Sequence, residues 1–196
     1  MNDSKQLRKD ILGKRDSLTR AEIVSKSSAI EQSFLSLPEL SERNNIFLYV
    51  SFRSEVETLP LLHALIRLGK KVSVPITYVE ERRLDAISIT NPTEELTPGY
   101  CDIPEPKKEI LTSNYVNPMD IDMIVLPGSV FDERCGRFGY GGGFYDRFVS
   151  ANPNALRVGL AFETQIIERA PLQDHDELLD LVITEKRIIR GSRQAV

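Results

Sequence analysis

Residues 123 to 126 read MIVL, with no polar side chain among them. A strand that is apolar toward both of its faces is buried on both, the usual situation of a parallel strand lying between two layers of helix. The flanking sequence supplies the alternation that such a sheet needs. An apolar run, NIFLYVS (45–51), leads to a helical stretch from about 58 to 68, with Pro60 in its first turn and Gly69 after its end. Another run, KKVSVP (70–75), follows, which completes a strand–helix–strand signature. RLDAISI (83–89) reads as a third strand, and LRVGLAF (156–162), LDLVIT (179–184) and KRIIR (186–190) as later ones. Between them, 90–118 holds five prolines and reads as irregular and surface-running. Ahead of the first strand, 3–18 is strongly charged with Leu7, Ile11, Leu12 and Leu18 at helical spacing, and TRAE (19–22) opens a second helix as a capping box. The expected fold is one α/β domain over 1–196 with a mostly parallel central sheet and an N-terminal helical pair.

Charge narrows the classes of ligand. The chain of 196 residues carries a formal net charge of −4. It has no generic attraction for nucleic acid or an anionic membrane, so an anionic ligand must be held by a local arrangement of groups. The N-terminus is charged from its third residue and lacks the apolar core of a signal peptide, and no run elsewhere approaches a membrane span. A cytoplasmic protein without nucleic-acid or membrane partners, acting as a monomer, is the expectation. Cys101 and Cys135 form no CxxC, and His63 and His175 are the two histidines, which argues against a disulfide framework or a histidine-rich zinc centre.

The strand at 120–128 feeds a segment in which five of the eleven glycines fall between positions 136 and 143. A flexible linker does not carry Phe138, Tyr140, Phe144, Tyr145 and Phe148. A buried strand, a glycine-rich turn and a helix starting near 143 present unpaired backbone N–H groups to an anion, and glycine is needed where the backbone itself is the ligand. Neither common fingerprint fits. A Walker loop ending on Gly69 and Lys70 would need glycine at Ala64, and a Rossmann loop from Gly139 would need glycine at Phe144. Residue types alone leave two readings open: a phosphate cradle, with Arg137, Asp146 and Arg147 as companions, or a structural loop whose glycines only permit tight turns.

LPGSVFDERCGRFGYGGGFYDRF (126–148) resembles the signature of the 5-formyltetrahydrofolate cyclo-ligase family, also called 5,10-methenyltetrahydrofolate synthetase. LRKDILGKRDSLTRAE (7–22), SFRSEVET (51–58) and FETQIIERAPLQDHDELLDLVITE (162–185) resemble its other segments in order. The resemblance implies a three-layer α/β/α fold similar to the sugar-isomerase and CoA-transferase group, and ATP-driven ring closure of 5-formyltetrahydrofolate with Mg²⁺. It implies that Lys5, Arg8, Arg137, Phe138, Gly139, Tyr140, Gly141, Gly142, Gly143, Phe144 and Tyr145 bind the nucleotide. It further implies that Arg137 and Tyr145 act in catalysis, and that Asp146 and Asp176 hold the metal. Val50, Phe52 and Glu55, with Tyr140, Gly141, Gly142, Gly143 and Phe144, would bind the folate. Phe138 stands where the family usually has Leu, and Phe144 where it usually has Tyr; the second change removes a hydroxyl. Two other readings stay open here: a sugar-phosphate isomerase or CoA-transferase-like enzyme on a related scaffold, and a non-catalytic nucleotide-binding module. Glu55 itself has a local alternative, favouring the N-terminus of the helix that starts near 58.

Overall fold

The computed structural model describes residues 2–99, 103–172 and 178–193. Its helices are α1 (Asn2–Asp16), α2 (Arg20–Leu35), α3 (Pro38–Ser41), α4 (Leu59–Arg67), α5 (Pro92–Glu95) and α6 (Phe144–Ser150). The strands are β1 (Asn45–Leu48), β2 (Lys71–Tyr78), β3 (Arg83–Ile89), β4 (Leu96–Pro98), β5 (Pro104–Pro106), β6 (Tyr115–Val116) and β7 (Met123–Leu126). They continue as β8 (Val130–Asp132), β9 (Arg137–Phe138), β10 (Leu156–Leu160), β11 (Ile166–Ile167), β12 (Leu181–Ile183) and β13 (Ile188–Arg190). Eight of them form one sheet in the order β13-β12-β10-β7-β1-β2-β3-β6. The five strands from β12 to β2 are mutually parallel, while β13, β3 and β6 are antiparallel additions at the edges.

The MIVL run is β7, parallel to β1 on one side and β10 on the other, with all four residues buried. Its alternating side chains serve two cores. Met123 and Val125 join Ile46, Leu48, Leu61, Leu65 and the α2 residues Ile30 and Phe34, whereas Ile124 and Leu126 join Phe47, Phe148 and Val149 of the α6 side. Phe47 and Phe148 meet with ring centroids 4.3 Å apart. Helices therefore cover both faces, as the apolar run required.

Three local expectations are modified. RLDAISI is a strand, but it returns antiparallel to β2 because only four residues, 79–82, join the two, too few for a parallel crossover. The proline-rich stretch contributes a two-stranded ribbon, β4 with β5, and the edge strand β6. The start of the glycine segment is a hairpin rather than a loop: β8 and β9 pair antiparallel, β11 joins them, and the three form a small second sheet.

The N-terminal helices divide between separate cores. Thr19 caps α2 with the reciprocal Glu22 bonds that the sequence promised, and α2 lies on the main sheet. By contrast α1 lays Leu7 and Ile11 onto the small sheet against Val130, Phe138, Ile167 and Ala170. Among the described residues no helix is long and apolar enough to cross a membrane. Since Ile11 is buried in a small satellite cluster, Ile11→Ala is expected to cost about 2 to 4 kcal/mol, read as a lower urea midpoint with an unchanged slope. A shift under about 0.5 kcal/mol would mean that α1 is not held by this contact.

Candidate active site

Parallel pairing sets Leu48 beside Val125, so the chain leaves β1 and β7 at the same edge of the sheet. The two departing segments, 49–58 and 127–143, form facing walls of a cleft of about 460 Å³. The first is pinned at its ends. Ser51 N–H donates to Thr58 Oγ1 at 2.9 Å, Thr58 N–H donates to Ser51 Oγ at 3.2 Å, and the buried Tyr49 hydroxyl donates to the Val56 carbonyl at 3.0 Å. Within this loop Arg53 adopts φ 53° and its guanidinium stacks on the Phe52 ring at 4.9 Å.

Glu55 projects from this loop into the cleft. Its Oε2 accepts the Phe52 N–H at 2.9 Å, and its Oε1 accepts the Tyr140 hydroxyl at 2.5 Å. Neither of these bonds goes to α4, whose N-cap Thr58 makes no side-chain cap bond. Burial pushes the Glu55 carboxyl above its ordinary value of 4.5, an effect that the two hydrogen bonds and the positive charge of Arg15 only partly offset.

The opposite wall is the glycine loop. Gly141 (φ 98°) and Gly143 (φ 65°) take left-handed conformations that a side chain would strain, and Gly143 caps α6. A Cβ on Gly142 would lie 2.6 Å from the Phe144 ring. Beneath the loop, Arg137 of β9 is 3 % exposed; it donates to the Pro127 carbonyl at 3.1 Å and to Asp146 Oδ1 at 2.5 Å. Tyr145 also lines the cleft, and its hydroxyl has no hydrogen-bond partner among the described residues. Desolvation raises its phenol pKa well beyond the ordinary value of 10.0, which favours the protonated form.

Of the residues singled out from the sequence, Val50, Phe52, Glu55, Arg137, Gly139, Tyr140, Gly142, Gly143, Phe144, Tyr145 and Asp146 line this cleft. Arg8 stands beside it: Nη1 lies 3.7 Å from where a Cβ on Gly141 would be, its guanidinium sits 5.9 Å from the Phe138 ring, and its buried Nε has no hydrogen-bond partner among the described residues. The Phe138 side chain belongs to the core under α1, and Lys5 is exposed one turn before Arg8, so neither side chain forms part of the cleft wall. Asp176 lies outside the described residues.

Other lining residues escaped the sequence reading: Arg15 and Asp16 at the end of α1, Tyr49, Thr77, and Glu105 from the proline-rich ribbon. Arg15 could have been found, because Arg8, Leu12 and Arg15 follow the i, i+4, i+7 spacing of one helical face. Glu105 could not; it reaches the cleft only because β5 packs beside β2, where its Oε1 accepts the Thr77 N–H at 3.1 Å.

The chain is similar to known proteins over most of its length. A family model described as the 5-formyltetrahydrofolate cyclo-ligase family matches residues 1–185. The 5-formyltetrahydrofolate cyclo-ligase of Haemophilus influenzae is 30% identical over 188 residues, covering 93% of this chain and 100% of that protein. The Escherichia coli K12 protein of the same name is 29% identical over 157 residues, covering 79% of this chain and 85% of its own. The NMR structure of Aquifex aeolicus 5,10-methenyltetrahydrofolate synthetase superimposes with a TM-score of 0.84 at 32% identity, covering 96% of this chain and 93% of that one.

The raised Glu55 pKa has a signed consequence. The folded protein holds this proton more tightly than the unfolded chain, so ionising Glu55 costs stability as pH rises above 4.5 through the raised value. Glu55→Gln removes that cost. Its thermal midpoint relative to the parent is expected to move in the variant's favour between about pH 4 and about pH 8, and a constant or opposite difference would overturn the assignment.

Proposed function

The chain belongs to the 5-formyltetrahydrofolate cyclo-ligase family, and from that premise we propose how its cleft divides between nucleotide and folate. The enzyme converts 5-formyltetrahydrofolate to 5,10-methenyltetrahydrofolate at the expense of ATP. The observation that carries the division of labour is the hydrogen bond between Tyr140 of the glycine loop and Glu55 of the facing loop. It sets the backbone of a candidate phosphate cradle directly against a candidate pterin-binding carboxylate.

On the nucleotide side, the backbone N–H groups of 139–143 would hold phosphate oxygens, with Arg8 and the exposed Lys5 approaching from α1. The unsatisfied, buried Arg8 Nε supports an anionic ligand there. On the folate side, Glu55 would accept from the donor-rich edge of the pterin, between Val50, Phe52 and Phe144. Tyr140, Gly141, Gly142 and Gly143 would touch both ligands where they meet.

The chemistry requires activation of an amide-like formyl oxygen. That oxygen attacks the γ-phosphorus, the bond from phosphorus to the β–γ bridging oxygen breaks, and ADP leaves. N10 then adds to the formyl carbon and loses its proton, and the carbon–oxygen bond breaks to release phosphate. No protein nucleophile takes part; the chain supplies alignment and charge stabilisation. Arg137, fixed by Pro127 and Asp146 on the cleft wall, would stabilise charge on the transferring group, and the Tyr145 hydroxyl would donate to an oxygen that becomes more negative.

We propose that Mg²⁺ joins the nucleotide on the side of Asp146. Among the described residues no group of three or more His, Cys, Asp or Glu could cage a metal. Mg²⁺ needs no such cage, since it keeps several waters and takes one or two carboxylates together with phosphate oxygens. Asp146 would hold it, with Asp176 as the second carboxylate, and the bound ion would neutralise phosphate charge. We further propose a cytoplasmic monomer without nucleic-acid or membrane partners, the net charge of −4 supporting the absence of the two anionic partners.

Purified protein mixed with 5-formyltetrahydrofolate, ATP and Mg²⁺ should develop the near-ultraviolet band of the methenyl product. Folded protein that gives no band, or a band that forms without ATP, would defeat this reading. Asp146→Asn should raise the Mg²⁺ concentration for half-maximal rate by about tenfold or more, and should lower stability by about 1 to 3 kcal/mol, because buried Arg137 loses its counter-charge. An unchanged Mg²⁺ requirement would remove Asp146 from the metal site.

A further inference from the structure

The last turn of α1 sends a directed chain of hydrogen bonds across the cleft. Arg15 is 5 % exposed; its Nε donates to Ser54 Oγ at 3.0 Å and its Nη1 to the Tyr140 hydroxyl oxygen at 2.7 Å. A guanidinium can only donate, so the phenol oxygen must accept from it. The single phenolic proton is left for Glu55 Oε1 at 2.5 Å, the Gly128 carbonyl being farther away at 3.5 Å. Ser54 repeats the pattern, accepting from Arg15 and donating to Asp16. With the Phe52 N–H on its other oxygen, Glu55 is held at both ends on the cleft wall.

We propose that Arg15 is a positioning residue for folate recognition, fixing the Tyr140 phenol so that Glu55 meets the pterin edge in one orientation. The proposal rests on the reading of Glu55 as the pterin-binding carboxylate. A merely structural role would be to dock α1, but that helix is already seated by Leu7 and Ile11 on the small sheet, and Arg15 has no part in that cluster. Arg15 instead sits between two polar groups of the cleft wall, with its charge beside a carboxylate that is otherwise in largely apolar surroundings.

Steady-state kinetics on the full chain separate the possibilities. Arg15→Gln is expected to raise KM for 5-formyltetrahydrofolate about tenfold, the scale of one charged hydrogen bond, with KM for ATP within about twofold of the parent. Combined with Tyr140→Phe, which cuts the same chain one link later, it should add less than about twofold to the loss from Tyr140→Phe alone. Additive losses, or an equal rise in KM for ATP, would show that Arg15 only docks the helix and would overturn the proposal. Arg15→Lys keeps the charge but can satisfy only part of the geometry, so its KM should fall between parent and Gln variant; it decides the question if Arg15→Gln fails to fold, with a parental KM counting against the proposal. Glu55→Gln identifies which level has failed. If it leaves KM for the folate unchanged, the pterin reading falls and the proposal with it; if it raises KM while Arg15→Gln does not, the proposal falls alone.

Discussion

Parallel pairing of β1 with β7 is the constraint from which the cleft follows. Because β7 is apolar on both faces, it is placed mid-sheet between two helical layers, with parallel neighbours on both sides. Parallel neighbours end at the same edge, so the polar segments that follow β1 and β7 must leave the sheet side by side. One carries Phe52 and Glu55, the other Arg137, the glycines and Tyr145. Neither loop is built around a ligand by itself; their proximity is a consequence of where hydrophobic burial puts the strands.

How far the sequence discloses this depends on the range of the interaction concerned. The capping box at Thr19, the MIVL strand and the helix that follows Gly143 are each decided within a few residues, and each is found where its local signal lies. Direction of pairing is not local. The run at 83–89 is plainly a strand, yet its return antiparallel to β2 is encoded only in the shortness of the 79–82 connection. The hairpin of β8 and β9 is masked further, because Gly136 and Gly139 advertise a loop while their neighbours Val130, Phe131, Arg137 and Phe138 pair as strands. Contacts between distant segments, such as Tyr140 with Glu55 or Glu105 with Thr77, have no local signature at all.

The residue chemistry of the site was nevertheless concentrated in readable places, since a glycine that must adopt positive φ cannot be replaced cheaply and so marks the loop. The sequence places Arg137 and Asp146 beside those glycines but does not disclose that they pair with each other. Their pairing changes the physical picture: a buried guanidinium fixed by a carbonyl and a carboxylate is preorganised, and it cannot be moved far without leaving a charge uncompensated. Such a group suits stabilising charge that develops during reaction more than capturing a free anion from water.

The proposed division of the cleft asks for two kinds of recognition that make opposite demands on the chain. In that proposal phosphates would be met by bare backbone, which requires small residues and strained turns, and a pterin edge by a carboxylate whose burial works against its own ionisation. Both are locally unfavourable, and both are supported by well-packed surroundings: the Phe47–Phe148 contact under α6 on one side, and the Ser51–Thr58 pair with the buried Tyr49 on the other. Tyr140 is where the two demands meet, since its backbone lies between Gly139 and Gly141 while its hydroxyl serves Glu55. A shift of the glycine loop therefore moves the hydrogen-bond partner of Glu55 as well, so the proposed nucleotide and folate regions would be coupled through Tyr140.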